Sequence, residues 1–418
     1  MKSLCLIRVR SCLVLALIVL ASSQYIPEIH GRGESNEPPD YPFPIRDRRE
    51  DYEAFSIFGY PPVGSTPLIN PQSALARDDL LGGAFHPTNP NRAIVVGGRG
   101  ELLKWDGVLR PVQTGANSWF SCAAWKPDGS HALVVGDTVE KWNGTHLMRL
   151  VPAYWQTSPQ EPIRYFEGVA WKPDGSYALI VGEQGSPYRA TVWKWDGATL
   201  TKLFSASNSY FYTVAWKPDG SYALIAGSSG TAYTYNGVSF TLVSTGTGDF
   251  WRVAWKPDGS YALTIFGGKA YKYDEITFTE IPSGLNYDFQ DVAWKPGGSW
   301  ALVPCYDYGL IYNFTGTGFT LLYNGLSTLG GRALRSAFWS GNGALAFIVG
   351  ELGTVVRYAS ATFTRLSPWP FITGEILYGM SWKPDGSYAL IVGGSQRNGP
   401  GGLGLYGRGI VMKYDGTA

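Results

Sequence analysis

The chain has 418 residues, a formal net charge of +1 and only 16% charged residues. That balance excludes the basic footprint of a nucleic-acid binder. High counts of Gly (53), Tyr (26) and Trp (16) point instead to a turn-rich, all-β chain packed with aromatics.

The N-terminus reads as a secretory signal over residues 1–23. Lys2, Arg8 and Arg10 form a basic start, and 12–21 is apolar but short for a membrane span. Small residues follow at Ala21, Ser22 and Ser23, so cleavage is expected before Gln24. The expected location is therefore secreted or extracytoplasmic, with no transmembrane segment after cleavage. Only Cys122 and Cys305 remain, in repeats that a ring would hold apart, so no disulfide between them is expected. Residues 24–51 are a polar, proline-rich leader, read as a tether. Residues 52–418 form the main domain, and 54–58 alternates like a strand.

From residue 80 a unit recurs. Its clearest form is Val-Ala-Trp-Lys-Pro-Asp-Gly-Ser-Tyr-Ala-Leu-Ile-Val-Gly, keyed by Trp125, Trp171, Trp216, Trp255 and Trp382. Altered copies stand at Trp294 and Trp339, and a worn copy at Phe85. The steps run from 39 to 46 residues. Each unit holds four short strands, here A to D. Strand A ends at the Trp, and B carries Tyr-Ala-Leu-Ile-Val-Gly. Strand C ends in an aromatic before Asp-Gly or Asn-Gly, and D follows. Lys-Pro-Asp-Gly-Ser suits a type I turn with a left-handed glycine between A and B. The dipeptides Asp106-Gly107, Asn143-Gly144, Asp196-Gly197, Asn236-Gly237 and Asp415-Gly416 predict type I′ turns between C and D. The repeated Asp residues thus have a turn role rather than a catalytic or metal role.

Four strands per unit of this length predict an all-β, eight-bladed β-propeller of antiparallel blades. Seven blades is the alternative if the copy at Phe85 is not a blade. The last unit stops after strand C, and 54–58 is expected to supply its fourth strand and close the ring. The repeat phrase resembles those of WD-repeat and TolB-type propellers across residues 80–418. The resemblance implies the fold and a binding platform, without assigning a ligand. The Gly-His dipeptide of typical WD repeats is missing, so their His–Asp network is not expected.

Fixed turns (A–B, C–D) must share one face, and the variable B–C and D–A loops the other. Binding is expected on the variable face. Aromatics lead into strand A there. The residue five before each Trp is assigned to packing between blades. Trp119, Tyr165, Tyr210, Tyr212, Trp251, Tyr287 and Tyr378 are assigned to ligand contact, with Arg252, Asp291 and Glu183 as polar partners. Asp288, Arg335, Glu167, Arg189, Glu351 and Arg397 lie nearby.

The histidines show no metal-ligand spacing, and no nucleophile elbow, phosphate loop or calcium loop is present. No catalytic residue, metal or cofactor is assigned. Asn143 and Asn313 open glycosylation sequons. The leading expectation is a non-enzymatic, monomeric scaffold that binds protein or glycan through the variable-loop face. The alternatives are an extracellular carbohydrate-active hydrolase or lyase, and a structural cell-surface component.

Overall fold

Every A–B hairpin closes as its residues require. In the computed structural model, the described residues are 79–114, 118–151, 163–185, 188–207, 209–246, 248–266, 268–282, 287–366, 375–395 and 409–414. In each Lys-Pro-Asp-Gly turn the glycine N–H donates to the lysine carbonyl, as Gly220 does to Lys217 at 2.8 Å. Gly220 takes φ +72°, the left-handed region open to glycine. Asp219 Oδ1 accepts from the Ser221 N–H and hydroxyl. Lysine bonds hold the carboxyls of Asp128, Asp174 and Asp258 well below the usual carboxylate range. The aspartates are turn residues, as their repetition suggested.

The C–D turns differ from expectation. A type I′ turn needs positive φ at both central residues. Here Gly237 has φ +98°, while Asn236, the other central residue, is not among the positive-φ residues. The physical reason is an Asx turn: Asn236 Oδ1 accepts from the N–H of both Val238 and Ser239. Blade 5 places Glu275 at the glycine position, with φ +81°. Lys217 of blade 4 pairs with that Glu275 at 2.6 Å, which puts A–B and C–D turns on one face.

The hairpins assemble into eight antiparallel sheets, seven in the order A-B-C-D and the eighth in the order A-B-C among the described residues. Blade 4 is typical: Phe211–Trp216, Ala223–Gly227, Ala232–Tyr235 and Phe240–Ser244. Strand A of each blade packs on strand A of the next, and Glu375–Trp382 of the eighth packs on Leu80–Phe85 of the first. The A strands therefore ring the centre of an eight-bladed β-propeller. Among the described residues the eighth blade shows three strands. The expected signal, the leader and the closing segment 54–58 lie outside the described residues, as do Arg397 and the predicted turn at Asp415-Gly416.

The repeated Trp explains why the ring holds together. Its indole N–H donates to the carbonyl just before the matching Trp of the preceding blade. Trp171 bonds Ala124 O at 3.1 Å, Trp216 bonds Ala170 O at 3.2 Å and Trp339 bonds Ala293 O at 3.0 Å. The strand-B Tyr meets the next blade's Trp edge-on, as Tyr177 does Trp216 at 5.4 Å. Phe85 has no such donor. At the seam between blades 8 and 1, Phe85 N–H donates to Ser381 Oγ at 3.3 Å and Trp105 Nε1 to Tyr388 Oη at 2.7 Å.

His131 stands where other blades carry this Tyr, edge-on to Trp171 at 5.2 Å. Burial, then the charges of Lys141 and Lys126, push its pKa down from 6.5 to about 4. The folded state holds His131 neutral, whereas the unfolded chain protonates it below its ordinary value. Its contribution is therefore present above pH 6.5 and lost as pH falls toward 4. His131→Tyr is expected to flatten the loss of thermal stability between these limits. A denaturation series against pH checks it: an unchanged slope would assign the acid sensitivity elsewhere.

Candidate functional site

The residue five before each key aromatic is an anchor. Phe120, Phe166, Phe211, Phe250, Phe289, Leu334 and Leu377 are 0–3% exposed and fill the space between blades. This is the packing role assigned from the repeat.

The next residue behaves differently. In six blades the A–B register skips one residue, four before the key aromatic: Leu81, Ser121, Glu167, Tyr212, Arg335 and Tyr378. Each is a β-bulge, a device that re-aims a side chain. Trp251 and Gln290 hold the same place in blades 5 and 6, just before the regular strand begins. All eight are half-buried or exposed, each directly after a buried residue. One repeated position, bulged in six blades, thus presents eight side chains of varied chemistry at the mouth of the ring.

The residue six before the Trp is pinned by its backbone to the B–C loop. Tyr210 N–H donates to Ser228 Oγ and Ser228 N–H to Tyr210 O, both at 2.9 Å. Trp119 N–H donates to Asp137 Oδ2 at 2.7 Å, and Asp137 N–H returns to Trp119 O at 2.9 Å. The glycine ending strand B allows this approach: a Cβ on Gly227 would lie 1.7 Å from Tyr210 O. D–A and B–C loops therefore meet on one face, as expected.

Three assigned aromatics form one ladder. Tyr210 lies parallel to Tyr212 at 6.4 Å, and Tyr212 stacks on Trp251 at 4.7 Å and 13°. Tyr188 of the blade 3 B–C loop extends it, 5.2 Å from Tyr210. Trp251 is 52% exposed, so the ladder ends in an open indole face. Tyr212 Oη reaches Asp249 Oδ2 at 3.5 Å, and Asp249 Oδ1 accepts from Ser229 N–H.

The other assigned residues are spread around the mouth. Tyr287 sits edge-on to Tyr308 at 5.9 Å. Tyr378 belongs to blade 8, where its carbonyl accepts from Ser336 Oγ. Arg252 is exposed, with Nε 4.0 Å from Asp291 Oδ1. Asp291 is 9% exposed, and its two oxygens accept from the N–H of Val292 and of Ala337 in the next blade. That carboxylate ties blade 6 to blade 7. Glu183 lies across the A–B pairing from Tyr165. Burial and then the charge of Glu167 raise the Tyr165 phenol well above its ordinary value.

Glu167 is exposed to the mouth and yet walled by the surrounding blades. Burial, then the charge of Glu183, push its carboxyl from 4.5 up to about 7. A raised carboxyl adds stability that is complete below 4.5 and lost as pH rises through 7. Glu167→Gln is expected to raise the melting temperature at about pH 8 and leave it unchanged below pH 4.5. Equal shifts at both pH values would mean that the carboxylate is not strained by its setting.

Arg335 makes a self-contained cluster. It bonds Glu351 at 2.7 Å and Gln290 at 3.5 Å, and lies 4.7 Å over the Tyr306 ring. Among the described residues, Cys122 and Cys305 are free. Burial raises the Cys122 thiol to about 11, and its sulfur meets the Glu167 carbonyl at 3.7 Å. Among the described residues no group of three His, Cys, Asp or Glu side chains is placed to hold a metal, and no helix is long and apolar enough to cross a membrane. Asn143 is exposed at a C–D turn, whereas Asn313 lies within the strand Ile311–Phe314 with Oδ1 buried.

Tyr188, Tyr306, Tyr308 and Ser121 were not singled out by sequence. One signal was available for Tyr308: Asp307-Tyr308-Gly309 parallels Gly98-Arg99-Gly100 and Ser228-Ser229-Gly230. In all three the central residue has φ of 50–57°.

The fold is similar to that of solved WD40 propellers. The C-terminal WD40 domain of Sif2 matches with TM-score 0.60 at 14% identity, over 84% of this chain and 99% of that one. Sqt1 from Chaetomium thermophilum, bound to the N-terminus of the ribosomal protein L10, matches with TM-score 0.61 at 14% identity, over 82% and 98%. YCF48 bound to D1 peptide matches with TM-score 0.52 at 12% identity, over 85% and 98%. At these identities the likeness concerns the fold. No protein-family model and no curated protein sequence matches the chain.

Proposed function

We propose that this propeller is a non-enzymatic binding scaffold, acting outside the cytoplasm, that holds a segment of a protein partner at its variable-loop mouth. One observation carries the reading: the bulge position repeats in backbone but not in side chain, and it includes the half-exposed Trp251 at the end of the aromatic ladder. Large aromatics held rigid and half-exposed suit the anchors of a protein interface. Two similar folds, Sqt1 and YCF48, were solved with a ribosomal protein N-terminus and a peptide bound. A glycan is the second reading, favoured by the single open indole face of Trp251. Against a hydrolase stands Asp291, whose two oxygens already serve backbone donors.

The test uses the whole chain as bait, beside a Tyr212→Ala/Trp251→Ala variant, on both protein extracts and glycan arrays. A polypeptide captured by the native chain and lost by the variant is the expected result. Variant-sensitive binding of glycans alone would favour the second reading. Polysaccharide turnover by the native chain would overturn both.

A further inference from the structure

We infer that the partner's segment carries a basic side chain into the mouth, its cationic head on the Glu167 carboxylate and its aliphatic stem against the Tyr212–Trp251 stack. This rests on the mouth being a protein-binding surface and adds what that surface selects.

Two sides of the ring differ in one component. On the side of blades 6 and 7, a cation, a carboxylate and an aromatic face are assembled from the chain itself. Arg335 lies 4.7 Å over Tyr306 and 2.7 Å from Glu351. On the side of blades 3 to 5 the carboxylate and the aromatics are present. Glu167 and Tyr212 are the bulge residues of adjacent blades. Their A strands touch there: a Cβ on Gly168 would lie 3.5 Å from Tyr212 O and 3.8 Å from Thr213 Cα. Trp251 follows on the next blade, stacked on Tyr212. Among the described residues no lysine or arginine forms an ion pair with Glu167. Arg252, the residue after Trp251, lies with its Nε 4.0 Å from Asp291 Oδ1.

The missing component is therefore a cation. Glu183 adds a second carboxylate, whose charge raises the Glu167 carboxyl. Lysine and arginine pair a charged head with a long apolar stem, which matches a carboxylate set beside stacked rings. Desolvated by the surrounding blades, such a contact is worth more than an exposed ion pair.

The test selects random displayed peptides on the immobilised full chain, with counter-selection on Trp251→Ala. Enriched peptides are expected to share an arginine or lysine at one position. A synthetic enriched peptide with that residue changed to glutamine should bind at least about tenfold more weakly. Glu167→Gln, close in shape to the native side chain, should bind both peptides about equally. Two results would overturn the inference and leave the binding surface standing: Trp251-dependent peptides without a shared basic residue, or a Glu167→Gln chain that still prefers the basic peptide tenfold. Failure of any peptide to enrich over the Trp251→Ala counter-selection would overturn both.

Discussion

Trp216→Ala is expected to lower the free energy of unfolding by about 4 kcal/mol, read by chemical denaturation. The ring is buried at the joint between blades 3 and 4, edge-on to Tyr177. Alanine would leave a cavity that two stiff sheets cannot collapse to fill. It would also strand the Ala170 carbonyl, which now accepts the indole N–H at 3.2 Å. Trp216→Phe separates the two effects. It keeps most of the ring and loses the donor, so its cost should be about 1 kcal/mol. A phenylalanine variant as damaging as the alanine variant would assign the joint to the hydrogen bond rather than to packing. The native seam already works with Phe85, but there Ser381 and Tyr388 supply replacement bonds.

Trp251→Ala is expected to weaken partner binding by about 2 kcal/mol, roughly thirtyfold in Kd, with little change in melting temperature. Both parts follow from its position. The indole is stacked on Tyr212 on one side and 52% exposed, so it adds contact area to a partner and little to the core. Val238 is the matched control. It is 90% exposed, but at a C–D turn on the opposite face, so Val238→Ala should leave binding unchanged. Titration calorimetry with a captured partner segment reads all three proteins. Equal losses from Val238→Ala and Trp251→Ala would place the interface on the wrong face.

The fold was legible because its determinants are local and repeated. Lys-Pro-Asp-Gly-Ser carries its turn within five residues, and the apolar position five before the Trp recurs in every blade. Even the replacement of Tyr by His131 could be placed from the repeat frame. The type I′ assignment failed because the Asn236 side chain, not the backbone preference of Asn-Gly, organises that turn.

The mouth was legible only in part. The grouping of Tyr210, Tyr212 and Trp251 was legible because aromatics cluster ahead of each Trp. That a bulge separates two kinds of position there was not legible, since register depends on the partner strand. The shifting offset of the aromatics has this cause: Tyr210 is pinned to the B–C loop, whereas Tyr212 is the bulge residue. The part Asp291 plays in tying two blades was hidden, because its bond to Ala337 N–H spans 46 residues. Tyr188 and Tyr306 fell in B–C segments whose varying length removes the repeat frame.

Hydroxyl-radical footprinting of the full chain with and without its captured partner tests the central claim most directly. Binding at the non-repeating bulge ring predicts protection of Tyr188, Tyr212 and Trp251, with Met148, Val238 and Ile276 reacting as before. All three of those controls are more than half exposed. Protection of Met148, Val238 or Ile276 with Trp251 unchanged would contradict it.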